Sequence, residues 1–203
     1  MPRKNRSYKR GEPHRDATLF VIACEGAVRE KEYFEHLGEY SSRIRIKVLD
    51  QDGGHKSAPK WIQDAAARYV DETGLKVEDQ LWLVMDIDRW KIDAFHEMQQ
   101  ICVAQGNWNL ALSNPCFEVW LYMHVDDIRN CQATDCQGLK RALATIIKGG
   151  YNKATFIKLI RDAHHRSSQL DMNSDHFMPD FMRTKMHRLS GQLLDAIGMN
   201  SRI

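Results

Sequence analysis

The chain has 203 residues, a formal net charge of +2, 43% hydrophobic and 28% charged residues, which suits one soluble domain with a proper core, with or without an extension, and leaves little room for two. Its apolar runs fall far short of the ~20 residues that cross a bilayer, and its first residues are basic where a secretory leader would be apolar, so a cytoplasmic protein is expected. Five cysteines, Cys24, Cys102, Cys116, Cys131 and Cys136, contain no C-x-x-C pair, which argues against a disulfide framework and against a zinc site, including one built from Cys131, Asp135 and Cys136.

Residues 1–15 carry six Lys/Arg against one acid. They read as a basic flexible arm: Arg3, Lys4, Arg6, Lys9 and Arg10 either neutralise nucleic-acid phosphates or only keep the chain soluble. From Ala17, "ATLFVIACEG" is a continuous apolar run, the pattern of a strand buried on both faces, and it stops at Glu25-Gly26. In "AVREKEYFEHLGEY", Val28, Tyr33, Phe34 and Leu37 recur at helical spacing up to Gly38. "RIRIKVLDQDGG" alternates Ile44, Ile46 and Val48 with basic residues, as a half-buried strand does, and Pro59 opens a helix that closes at Gly74. The Gly-Gly-His-Lys-Ser of residues 53–57 lacks phosphate-loop spacing.

A third unit pairs "DQLWLVMDIDRW" with the amphipathic "KIDAFHEMQQICVAQG". A fourth pairs "NWNLALSN" with "PCFEVWLYMHV", where Asn114 suits an N-cap and Pro115 the first helical position. Repeated strand-helix units of this length predict an α/β fold over residues 16–127, with a mostly parallel central sheet flanked by helices. After about Asp127 strand-like runs vanish, so residues 128–203 read as an α-helical C-terminal extension of three helices.

In such a sheet the functional site lies beyond the carboxyl ends of the strands. Glu25 follows the first strand, Asp86 and Asp88 the third, and Glu118 falls in the first turn of the helix after the fourth. Singly, each has an ordinary role as an exposed acid or a helix-terminus acid. As a set they repel one another unless a cation lies between them, and residues two apart on a strand face the same way, so Asp86 and Asp88 can share one hard ion such as Mg²⁺ or Mn²⁺. The chemistry that follows is phosphoryl transfer or phosphodiester hydrolysis, with Asp86 and Asp88 as ligands and Glu25 as general base or further ligand. Arg29, Lys31 and Arg89 are placed to neutralise the phosphate.

"FVIACEGAVREKEYF", "VMDIDRW" and "LSNPCFEVWLYMH" together resemble the RloB family, encoded in restriction-modification and abortive-infection loci. The resemblance implies a Toprim-like fold, shared with topoisomerases, primases and overcoming-lysogenization-defect nucleases. Families of that fold bind Mg²⁺ through a Glu after the first strand and an Asp-x-Asp after a later one, which carries over to Glu25, Asp86 and Asp88, with Glu118 as an acid that joins the site. It also implies a basic N-terminal arm and an AAA-type ATPase partner. Where the family commonly has Thr-Glu after Glu-Gly, this chain has Arg29-Glu30.

Lys158, Arg161 and Arg166, with Lys153, His164 and His165, add a basic side to one C-terminal helix, and Arg183, Lys185, His187 and Arg188 to the next. Such runs are solvated faces or phosphate contacts. His124 in "FEVWLYMH" reads as a satisfied core histidine, with a substrate-facing role as the alternative because its helix starts beside the expected site. The expected function is a Mg²⁺-dependent nuclease acting on RNA, tRNA included, or DNA in bacterial anti-phage defence. The alternative is a non-catalytic nucleic-acid-binding or adaptor subunit of an ATPase complex; a small-molecule phosphatase fits Asp-Ile-Asp poorly, and homo-oligomerisation stays open.

Overall fold

A computed structural model describes residues 17–26, 28–50, 58–88, 90–148 and 151–198. The N-terminal arm with Arg3, Lys4, Arg6, Lys9 and Arg10, and also Arg89, lies outside the described residues.

The fold is α/β. A five-stranded sheet of order β2-β1-β3-β4-β5 is built from β1 (Thr18–Cys24), β2 (Ile44–Val48), β3 (Gln80–Asp86), β4 (Trp108–Asn114) and β5 (Arg183–Thr184). The first four strands are parallel and β5 runs antiparallel to β4. The continuous apolar runs of β1 and β3 follow from burial on both faces. Phe20, Ile22, Cys24, Trp82 and Val84 point into one core, while Val21, Ala23, Leu81, Leu83 and Met85 point into the other.

The connecting helices fall on the two faces accordingly. α2 (Ala58–Thr73) and α3 (Ile92–Gln105) supply Ile62, Ala66, Phe95 and Met98 to one core, and α1 (Arg29–Gly38) supplies Tyr33, Phe34 and Leu37 to the other. α4 (Glu118–Val125) is buried from Glu118 to His124 with no polar face, as expected of a helix enclosed on all sides. It packs against α5 (Cys136–Ile146) and α7 (Ile160–Gln169), and α7 in turn against α8 (Met186–Ala196). The helical C-terminal third therefore wraps the helix that carries Glu118.

Several sequence expectations need correction. The helix after β4 begins at Glu118, not at Pro115: Asn114 is still in β4 opposite Arg183, and its amide donates to Pro179 O at 3.1 Å, so it caps nothing. The long helix expected over residues 152–170 divides at Leu159 into α6 (Lys153–Lys158) and α7. Strand structure also does not end at Asp127, since β5 closes the sheet edge. Thr184 Oγ1 meets Ser113 Oγ at 2.8 Å and donates to Leu112 O at 3.2 Å, and Lys185 N donates to Leu112 O at 2.8 Å. A two-residue strand has no periodicity to read.

The basic run before and into α8 is not a solvated face either. Lys185 is 3% exposed, pairs with Asp171 and donates to Asn173 O at 3.0 Å. His187 is buried with its Nε2 3.1 Å from Asp171 Oδ2, and Arg188 donates to the carbonyls of Ser174 and His176. His124 is a satisfied core histidine. Its Nδ1–H donates to Trp120 O at 2.9 Å, its Nε2 accepts from Tyr33 Oη at 3.1 Å, and that hydroxyl accepts from Trp120 Nε1 at 3.1 Å. No helix among the described residues is long and apolar enough to cross a membrane.

Candidate active site

The carboxyl ends of β1, β3 and β4 lie side by side, because parallel neighbours in register finish together. Cys24 pairs with Val84, and Asp86 with Ser113. Glu25 follows directly, its N–H donating to Val84 O at 3.2 Å, and its Oε1 accepts from Trp90 Nε1 at 3.2 Å. Beyond Asp86 the chain keeps running beside β4. Ile87 N donates to Ser113 O at 3.0 Å and Asp88 N to Pro115 O at 3.3 Å. Asp88 thus sits in a turn facing the start of α5, where Cys136 Sγ lies 3.6 Å from its Oδ2. Glu118, 6% exposed, opens α4 above the same strand ends.

A fifth carboxylate joins them. Glu30 lies in the first turn of α1 and folds back over Gly26; a Cβ at position 26 would lie 1.6 Å from Glu30 Oε2. Only a residue without a side chain leaves that space, so the Gly of Glu25-Gly26 admits Glu30 to the site.

The electrostatics follow from this crowding. Burial pushes the Asp86 carboxyl well above its usual range, and Glu30, Glu25, Glu118 and Asp88 push it further in the same direction. Glu30 is also raised, by burial first and then by Glu118 and Glu25, against a backbone hydrogen bond that lowers it. Burial likewise lifts the thiols of Cys24, Cys116 and Cys136, with neighbouring carboxylates adding to it. This corner of the molecule disfavours negative charge, yet five acids converge on it.

Cations meet the cluster at one side. Arg29 Nη1 and Lys140 Nζ each lie 3.5 Å from Glu118 Oε1, and both are about half exposed, with side-chain exposures of 41% and 52%. Lys31 is paired outward with Asp50. The other proposed phosphate contacts are elsewhere: Lys158 and Arg161 are exposed on α6 and α7, whereas Arg166 Nη1 donates to Met123 O at 2.6 Å and His124 O at 2.9 Å, closing the C-terminal end of α4.

The oxygen-only donors Glu25, Asp86 and Asp88 suit a hard divalent cation, and the raised carboxyl of Asp86 marks the place where positive charge would relieve repulsion. Among the described residues, no group of three or more His, Cys, Asp or Glu side chains is gathered tightly enough to hold a metal as it stands. The acids form a neighbourhood, not a closed cage. Sequence reasoning left Glu30 out of the cluster and did not reach Lys140. Only the glycine at position 26 signals the first, and nothing local signals that α5 returns to the start of α4.

The model of one protein family, described as RloB-like protein, matches residues 20–193. No curated protein matches the chain. No solved structure matches it.

Proposed function

Because the chain belongs to the RloB-like family, and because five carboxylates meet at the carboxyl ends of its strands, we propose that it is a Mg²⁺-dependent nuclease of Toprim-like fold, hydrolysing phosphodiester bonds of RNA, tRNA included, or DNA. The observation that carries this is Asp86, a half-buried strand-end acid raised by burial and by four acidic neighbours. A native chain keeps such a strained group where function needs it.

Glu25, Asp86 and Asp88 would hold the divalent cation, which when bound supplies Lewis acidity and a nucleophilic water near neutral pH. Glu30, whose carboxyl is raised by burial and then by Glu118 and Glu25, accepts a proton at its Oε atoms or passes that task to Glu25. Arg29 and Lys140 exchange Glu118 for the phosphate as substrate arrives, setting its charge against the cluster. The family resemblance supplies the setting, cytoplasmic bacterial defence against phage with an AAA-type ATPase as partner. The alternative, a non-catalytic nucleic-acid-binding or adaptor subunit of such a complex, draws on Glu118 being already answered by two cations.

The deciding experiment incubates labelled tRNA, single-stranded RNA, and single- and double-stranded DNA with the protein and Mg²⁺ or Mn²⁺, beside Glu25→Gln and Asp86→Asn. Metal-dependent cleavage lost in both variants is the expected result. Equal inertness of all three proteins, maintained with the ATPase present, would leave the adaptor.

A further inference from the structure

Trp90 connects the carboxylates to a cavity. Its indole N–H donates to Glu25 Oε1 at 3.2 Å, and the same side chain lines a space of about 470 Å³ between the first turns of α2 and α3, together with Pro59, Lys60, Lys91, Ala94 and Glu97. That volume is within the ~300–1000 Å³ of small-ligand sites. Its walls are an aromatic ring, a pyrrolidine ring and a methyl group, which suit a flat apolar ring. Two exposed ammonium groups, Lys60 and Lys91, suit an anion beside it. Among the described residues, Lys60 pairs with the Asp64 carboxylate at 3.4 Å, an interaction easily exchanged. Glu97 offers an acceptor for N–H groups on the ring. A flat ring with N–H donors attached to a phosphate is a nucleotide.

We infer that this cavity is a nucleoside subsite: it takes one unpaired nucleoside of a single strand, with the base stacked on Trp90 and the adjoining phosphate against Lys60 and Lys91. The inference rests on the nuclease reading and adds to it how the strand is positioned. The base sits on the residue that touches Glu25, so the neighbouring phosphodiester is delivered to the carboxylates. Binding there needs no particular sequence, because every base has a face to stack.

The test measures binding of the full chain, in EDTA so that nothing is cut, to a short labelled oligo(U) or oligo(dT) and to an abasic strand of equal length and charge. Wild type should favour the base-bearing strand by about tenfold or more, the range of one stacking contact. Trp90→Leu and Ala94→Phe, which fills the cavity without touching Glu25, should both abolish that preference while phosphate-driven, salt-sensitive binding persists. Trp90→Phe keeps a ring and should retain most of it. A preference unchanged in Trp90→Leu and in Ala94→Phe overturns the subsite, as does its absence from wild type. If the wild type still cleaves nucleic acid in that case, the subsite alone is lost; if it neither binds nor cleaves, the nuclease reading falls with it.

Discussion

Asp86 and Gly26 expose the site's conflict at the scale of single residues. Asp86 is a half-buried acid among acids, and neutralising it removes repulsion without removing volume. Asp86→Asn should therefore stabilise the metal-free protein by about 1–2 kcal/mol while abolishing any metal-dependent cleavage. Urea midpoints of wild type and variant measured in EDTA would show it, and a destabilised variant would mean the carboxylate makes contacts that outweigh the repulsion. Gly26→Ala should expel the Glu30 carboxylate from over the turn with little loss of stability, because the displaced group is the end of a flexible chain. A fall in turnover at nearly constant substrate affinity is the expected signature of losing a proton acceptor. Glu30→Gln should reproduce it.

The elements around the site were legible to different degrees, and the reasons are physical. β1 and β3 announce themselves because burial on both faces demands unbroken apolar sequence, and α3 because one face of it meets Phe95, Met98 and Cys102 with the core. α4 offers no stripe to locate its start, being buried all round, and Asn114-Pro115 mimics a cap while belonging to strand and turn. β5 is held by Thr184, whose hydroxyl serves Ser113, Leu112 and the N–H of Met186 together. Thr184→Val keeps the shape and strands those partners. We expect a loss of about 1–3 kcal/mol, read as a lower thermal midpoint, with an undisturbed midpoint showing that water replaces the hydroxyl.

For the whole molecule, acid stability depends on histidines held neutral, His124 and His187 most strongly and His164 beside them. Burial lowers His124 to about 3 and His187 to about 4, while the same side chains in the unfolded chain take up protons near pH 6.5. Their folded pKa values are depressed, so the unfolded state binds more protons below about 6.5. The stability they contribute is complete above that pH and declines as pH falls toward 4, by about 1.4 kcal/mol per pH unit for each histidine. The raised carboxyls of Asp86 and Glu30 act in the opposite sense and soften the slope. Chemical denaturation between pH 7.5 and 4.5 measures the net effect. A profile still flat in an Asp86→Asn, Glu30→Gln variant, where those two carboxyls are gone, would show that the imidazoles protonate in the folded state.

The amino-acid sequence alone determined the α/β class, the two-faced central strands, the family resemblance and the acids at strand ends, because burial and parallel-sheet topology leave their mark in local pattern and in short motifs. Only the tertiary structure decided that Glu30 turns inward over Gly26, that Lys140 crosses from α5 to Glu118, that Trp90 ties Glu25 to a cavity, and that the basic run of Lys185 and His187 is buried. These are long-range contacts of charged and aromatic side chains, and their partners are set by how helices return to the sheet, which no local spacing encodes.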